Sequence, residues 1–425
     1  MSDSTEIQIQ FNVIPFSDFQ PSELPITLDK PTMDAAQEIV DQVRDSGEPA
    51  IREMAAKFGE RTADDPLVIK RPILEDAVQQ LATADRDLLQ RVGNRIRDFA
   101  QAQLDCLKEL KIPVPGGFAG HTIEPIQRAG CYAPAGNYAL PSTVLMTCIP
   151  ASVAGCETIT LATPNPSSLM LATAAIAGAD QVLAVGGAHA VSAMAYGFAA
   201  MKRCDVIVGP GNRWVTAAKR IVSGDVGIDM LAGPSELVLV ADDTAEPEMV
   251  AADLLAQAEH DTDARPFLIA MSRSFIYDVI TQLEKQLPLL PTAKIAEQAL
   301  KNGGAIVCDS VEQAITACNL LAPEHLELHL EQAAEFAGNV RHAGCVFIGH
   351  QSAEVFGDYG IGPNHTLPTS GTSRFSAGLN VFSFVRVRTF IELENAPQDI
   401  VDDTARLAEL EGLIAHQRSG LQRKK

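Results

Sequence analysis

Side chains capable of chemistry gather in a few short stretches. LLAQAEHD (254–261) sets Gln257 and His260 at i and i+3, on one face if the segment is helical. An amide oxygen beside an imidazole can serve a metal, and a satisfied polar pair is the plainer alternative. APEHLEL (322–328) sets Glu324 beside His325, directly after Pro323. Such a pair near a turn suits general acid–base work, because imidazole titrates near neutrality. The alternative is helix-start charge, with Glu324 in a first turn opened by the proline. VFGDYGIGPNHTLPT (355–369) is rich in Gly and Pro and carries Asp358 and His365. Long loops in compact domains are often functional, and Asp358 offers a hard oxygen ligand. EGLIAH (411–416) adds Glu411 and His416. Gln257, His260, Asp358 and His416 together make a nitrogen-and-oxygen donor set suited to zinc. Spacing alone does not assemble it, because His416 lies far from the rest.

A nucleotide site is not advertised. No G-x-G-x-x-G follows a strand pattern, and no G-x-x-x-x-G-K-[ST] occurs. GPGN (209–212) follows an apolar run and can bring backbone N–H groups close to a phosphate. A plain tight turn between strand and helix uses the same residues.

The elements that position these residues follow an α/β rhythm. Strand patterns fall at 158–163, 181–187 and 205–211, with Ala-rich helical stretches between them. A second series falls at 236–242, 266–272, 305–310 and 345–350. Two α/β domains with parallel sheets are therefore expected. Before them, a helix starts after Thr32, and another fits 85–110. These early helices must pack on something, and the second series of strands is the expected partner. The expected organisation is an N-terminal segment 1–30, a discontinuous α/β domain of 31–127 and 235–375, an α/β domain of 128–234, and a helical C-terminal segment 376–425.

Bulk properties narrow the function classes. The chain has 425 residues, 46% hydrophobic and 20% charged, which reads as globular. Its net charge of −21 disfavours nucleic acid and anionic membranes as partners. No run of ~20 apolar residues is present to span a membrane. The start, MSDSTEIQIQ, lacks the basic and apolar regions of a signal peptide, so a cytoplasmic protein is expected. None of the eight cysteines forms a C-x-x-C pair, and buried thiols are expected.

Several stretches, taken together, resemble the histidinol dehydrogenase family. They are RAGCYAPAGNYALPSTVLM (128–146), GPGNRWVTAAKR (209–220), IDMLAGPSELVLVAD (228–242) with the following DLLAQAEHD, APEHLEL, and GDYGIGPNHTLPT. They come in the family's order and spacing across nearly the whole chain.

The resemblance implies two Rossmann-like domains without the glycine fingerprint, and oxidation of L-histidinol to L-histidine through L-histidinaldehyde with two NAD. It implies a homodimer with one zinc per active site, held by Gln257, His260, Asp358 and His416. The C-terminal segment would cross to the partner, so that Glu411 and His416 complete the neighbour's site. His325 would be the base for the hydroxyl proton, and Glu324 would activate water. Substrate would meet Ser235, Gln257, His260, His325, Asp358, Glu411 and His416. NAD would meet Tyr132, His189 and Asn212.

Three positions depart from the family's pattern. His189 stands where the family usually has Gln, Ala135 where it usually has Gly, and 380–391 lacks the Asp more often found between its aromatics. A dehydrogenase of another small alcohol is the nearest rival. A zinc hydrolase using Glu324, a non-catalytic binding protein and a cysteine-dependent aldehyde dehydrogenase are the others.

Overall fold

A computed structural model describes residues 9–20, 28–134 and 139–423. Ala135 and the last two residues, Lys424 and Lys425 of the basic stretch from Arg418, lie outside them. The chain begins with strand β1 (Val13–Pro15), then helices α1 (Lys30–Ser46) and α2 (Glu48–Lys57). Asp29, not Thr32, caps α1: its side chain accepts the Thr32 N–H at 2.7 Å, with Pro31 inside the first turn. Next come β2 (Val68–Lys70), α3 (Arg71–Gln80) and α4 (Thr83–Asp105). The helix over 85–110 therefore stops at Asp105. Residues 110–125 instead form a hairpin, β3 (Leu110–Val114) and β4 (Gly117–Pro125).

The first α/β unit runs β5 (Arg128–Tyr132), α5 (Pro141–Ala154), β6 (Thr158–Ala162), α6 (Ser168–Ala177), β7 (Gln181–Leu183), α7 (Gly187–Tyr196), β8 (Val206–Val208), α8 (Arg213–Val222) and β9 (Gly227–Ile228). Its sheet has the order β2-β7-β6-β5-β8-β9, parallel except for β2. The second unit runs β10 (Glu236–Ala241), α9 (Pro247–Ala258), β11 (Arg265–Ala270), α10 (Arg273–Gln286), α11 (Ala293–Leu300), β12 (Gly304–Val307), α12 (Val311–Leu321), β13 (His325–His329), α13 (Ala333–Ala337) and β14 (Cys345–Ile348). Its sheet is parallel throughout, in the order β1-β12-β11-β10-β13-β14.

The helices before residue 106 pack on the first sheet and not, as expected, on the second. α1 lies against α7 and α8, α3 against α6, and α4 against α5. The Ala-rich helices of the first unit leave shallow apolar faces. Val40, Val43 and Ile51 fill one of them, and Leu89 and Ile96 the other. What the early chain gives the second sheet is β1, paired with β12.

The last segment also differs from its all-helical expectation. After α14 (Glu354–Asp358) and an irregular stretch, β15 (Val385–Leu393) pairs antiparallel with β4 over nine residues. In VRVRTFIEL, Val385, Val387, Thr389, Ile391 and Leu393 alternate with Arg386, Arg388, Phe390 and Glu392, which is a strand pattern rich in β-branched residues. Only α15 (Gln398–Leu410) and α16 (Ile414–Leu421) are helical there. No helix among the described residues is long and apolar enough to cross a membrane. All eight cysteines are free; five are buried and Cys106 is exposed.

A buried ion pair fixes the turn between β8 and α8. Lys219 and Asp229 bond inside the protein, 2% and 1% exposed. Lys219 also donates to the Gly209 carbonyl at 3.1 Å, and Asp229 accepts the Gly209 N–H at 2.7 Å. Gly209 has φ +113°, and a Cβ there would stand 2.2 Å from the Tyr132 carbonyl oxygen. Lys219→Met would leave Asp229 buried and uncompensated. The expected loss is roughly 3–5 kcal/mol in chemical denaturation; a change within error would show that the pair does not hold this turn.

Candidate active site

Both parallel sheets reverse direction at their middle strands. In the first, the chain winds outward from β5 to β7, then returns to β8; in the second, from β10 to β12, then to β13. Such switch points leave a crevice outside the carboxyl ends of the strands, which is the first sheet's share of the cleft. The carboxyl edge of the first sheet faces the amino edge of the second across one cleft of about 1100 Å³. Pro134 and Pro210–Arg213 line it from the first sheet, and Ser235, Arg265, Glu324 and His325 from the second.

The Glu–His pair is held by one backbone residue. Strand register sets Leu237 against His325. The Glu236 N–H then donates to Glu324 Oε2 at 2.9 Å, and the Glu236 carbonyl oxygen lies 3.2 Å from His325 Nδ1. A carbonyl only accepts, so Nδ1 carries the proton and Nε2 is left as the basic nitrogen. Both side chains are buried. Burial pushes Glu324 well above the usual carboxylate range, despite the Glu236 N–H. Burial also pulls His325 down to about 4, against the charge of Asp358.

The helix-start alternative for this pair does not hold. α12 ends at Leu321, Ala322 takes the left-handed conformation at φ +48°, and His325 begins a strand.

Three of the four metal-donor candidates, Gln257, His260 and Asp358, converge beside it. Gln257 sits buried in the last turn of α9, whereas His260 lies just past the Glu259 C-cap, so the two do not share a helix face. His260 Nε2 stands 3.5 Å from Asp358 Oδ2. This hydrogen-bond partner raises the His260 pKa. For Asp358, burial pushes upward, but His260 and the charges of His365 and His325 outweigh it and leave the carboxyl low. Glu354, one turn before Asp358 on α14, joins them: donor atoms of His260, Glu354 and Asp358 lie within 4.8 Å of one another.

Glu354 escaped the sequence reading. In the amide orientation that satisfies both groups, Gln257 donates its nitrogen to both Glu354 oxygens, at 3.0 and 2.9 Å. That leaves the Gln257 oxygen free to ligate a metal. The only sequence signal for Glu354 was its i, i+4 spacing from Asp358.

The loop carrying Asp358 is pinned to the first unit. Arg95 on α4 donates to the Gly360 carbonyl at 2.8 Å, and Asn364 donates to the Met146 carbonyl on α5 at 2.6 Å. His365 Nδ1 donates to the Asp358 carbonyl at 3.2 Å, so its Nε2 accepts from Thr143 Oγ1 at 3.4 Å.

The remaining candidates divide. Ser235 and Asn212 line the cleft, and the Asn212 side chain caps α8 through the Trp214 and Val215 N–H groups. Tyr132 and His189 are buried behind it. The Tyr132 hydroxyl accepts the Gly187 N–H at 3.0 Å. His189 meets Glu60 at 2.8 Å and stacks on Phe58. Glu60 also accepts the Gly186 N–H, so both residues hold the turn opening α7. Glu411 and His416 are exposed on the C-terminal segment and do not line the cleft of their own chain.

A model of the histidinol dehydrogenase family matches residues 26–424. Histidinol dehydrogenase of Methylococcus capsulatus is 41% identical over 391 residues, covering 90% of this chain and 89% of that one. That of Thermus thermophilus is 41% identical over 401 residues, covering 93% and 95%. The chain belongs to the histidinol dehydrogenase family. The crystal structure of histidinol dehydrogenase from Elizabethkingia anophelis superposes with a TM-score of 0.90 at 35% identity, covering 98% of each chain.

The family comprises NAD-dependent oxidoreductases acting at the last step of histidine biosynthesis, L-histidinol to L-histidine. A cysteine nucleophile finds no place here: among the described residues no cysteine lines the cleft. Burial pushes the thiols of Cys156 and Cys204 up to about 12.

If the His260–Asp358–Glu354 cluster holds a divalent metal, His260→Asn lowers the metal content, measured by metal analysis; unchanged content would remove His260 as a ligand. Glu354→Gln would then weaken metal binding about 10–100-fold in chelator competition, because the Gln257 amide loses its fixed orientation. An unchanged affinity would remove that orienting role.

Proposed function

We propose that the chain oxidises L-histidinol to L-histidine in this cleft, with Glu324 and His325 as its acid–base pair. The proposed site includes a zinc held by Gln257, His260, Asp358 and His416 of the partner subunit. The observation that carries this reading is the Glu236 clamp: one residue's N–H and C=O hold both groups beside the His260–Asp358–Glu354 cluster. Imidazole, amide and carboxylate donors suit zinc. When bound, zinc would orient the substrate, and NAD would accept hydride at each of the two oxidations.

The chain's own residues do the rest. His325 Nε2 takes the hydroxyl proton as the first hydride leaves carbon, giving the aldehyde. Its low pKa keeps the imidazole neutral around pH 7 and ready to accept. Glu324, ionised, then takes a proton from water as the water oxygen bonds to the aldehyde carbon. The second hydride leaves from that hydrate and gives the acid. Ser235 at the β10 edge and Glu411 from the partner would contact substrate. Asn212 would meet NAD directly, whereas Tyr132 and His189 would act by holding the Gly186–Gly187 turn.

Support for a homodimer with exchanged C-terminal segments comes from the surface. Leu407, Leu410, Leu413 and Ile414 are exposed on that segment, and Phe356, Tyr359 and Ile361 are exposed beside the cleft. Two apolar surfaces of this kind invite mutual burial. Glu411 and His416 stand outside their own cleft, as exchange requires.

Glu324→Gln is expected to slow the aldehyde step about 10²–10⁴-fold and more than the alcohol step; equal losses in both would contradict the water-activating role. Glu324 must be ionised to act, so the aldehyde step falls as pH drops through its raised pKa. That acid limb should lie above the ordinary carboxylate range and vanish in the variant. Mixing His416→Ala chains with His260→Asn chains is expected to restore activity, because a hybrid dimer keeps one intact site. No recovery in hybrids confirmed by mass would exclude a shared site.

A further inference from the structure

A second group of donors lies outside the catalytic cleft. Glu327 and His329 alternate with Leu326 and Leu328 along β13, so they project to the same side of the sheet as His325. Asp253 on α9 reaches them there. His329 Nε2 stands 3.4 Å from Glu327 Oε1 and 3.5 Å from Asp253 Oδ2, and these donor atoms all lie within 4.8 Å of one another. None of the three lines the cleft.

Hydrogen bonding does not account for this arrangement. Both distances exceed the ordinary N–H···O range of about 2.7–3.2 Å. One imidazole nitrogen also carries at most one proton, so it cannot donate to two carboxylates at once. Glu327 and His329 are fully buried. Among the described residues, neither Glu327 oxygen and neither His329 nitrogen has a hydrogen-bond partner. Buried polar groups left in this state are costly.

A single cation can take one donor atom from each of the three residues. Ligands about 2.0–2.1 Å from a tetrahedral ion stand about 3.3–3.4 Å apart, close to the spacings here. Two carboxylates and a neutral imidazole carry two negative charges, which a divalent ion balances. We propose that Asp253, Glu327 and His329 form a second divalent-metal site, structural in role, that ties α9 to β13. These elements carry Gln257 and His325, so the ion would set the distance between the metal-binding and acid–base halves of the cleft. One nitrogen and two oxygen donors suit zinc, and also manganese, iron(II) or cobalt.

The test uses the full chain loaded with zinc and dialysed against buffered nanomolar zinc. Elemental analysis is expected to give two zinc per wild-type chain, and one in Glu327→Gln, in His329→Gln and in His260→Asn. Combining His260→Asn with Glu327→Gln should leave none. One zinc per wild-type chain, lost entirely in His260→Asn, would overturn the proposal, as would two zinc retained in Glu327→Gln. Should those variants fail to fold, wild-type crystals suffice. Anomalous diffraction at the zinc edge is expected to show a peak between Asp253, Glu327 and His329, and no peak after a zinc soak would overturn the assignment. Neither measurement depends on what the cleft oxidises.

Discussion

The site depends on how β10 pairs with β13. These strands meet where their sheet changes winding direction, and their register leaves the Glu236 backbone free at the edge. The N–H and C=O of that one residue then dictate where Glu324 and His325 sit. Slipping the register by one residue would turn both to the wrong face. The clamp also settles protonation, because a carbonyl against Nδ1 leaves Nε2 as base. The opposing walls follow from it. The first sheet offers its carboxyl edge, where nucleotides commonly bind, and the second offers its amino edge as the reactive surface.

Charge is the second constraint. Glu236, Glu324, Glu354 and Asp358 are gathered in or behind one cleft of an already acidic protein. Burial pushes Glu236, Glu324 and Glu354 above the ordinary carboxylate range. Only Asp358, with His260 bonded to it and His365 beside it, is held low. Positive charge supplied at the His260–Asp358 cluster would relieve the others. A metal there and an ionised Glu324 therefore support each other.

The residues proposed as reactive stood out in the sequence, and their surroundings less so. Glu324 and His325 stood out as an acid–base pair, but the adjacent proline read equally as a helix start, and only strand pairing resolves it. Gln257 and His260 were found through a shared helix face that the structure does not have, since α9 stops at Ala258. Glu354 was missed because its i, i+4 spacing from Asp358 is a weak signal until its contact with Gln257 is seen. The α/β rhythm gave both sheets, because parallel strands are continuous apolar runs. It did not say which sheet the early helices cover, since apolar stripes such as Val40 and Val43 fit either. β15 was misread because Glu and Leu near the terminus drew attention from the alternation in VRVRTFIEL. No pattern within one chain relates His416 to Asp358; that relation, if a partner supplies it, is between chains.

One clamped pair serving both oxidations without release of the aldehyde is the central claim. The direct measurement is NADH formed per L-histidinol consumed by zinc-loaded protein, with an aldehyde trap present in solution. The account predicts two NADH per histidine formed, unchanged by the trap. One NADH with aldehyde captured by the trap, or NAD reduction with other alcohols but not with L-histidinol, would contradict it.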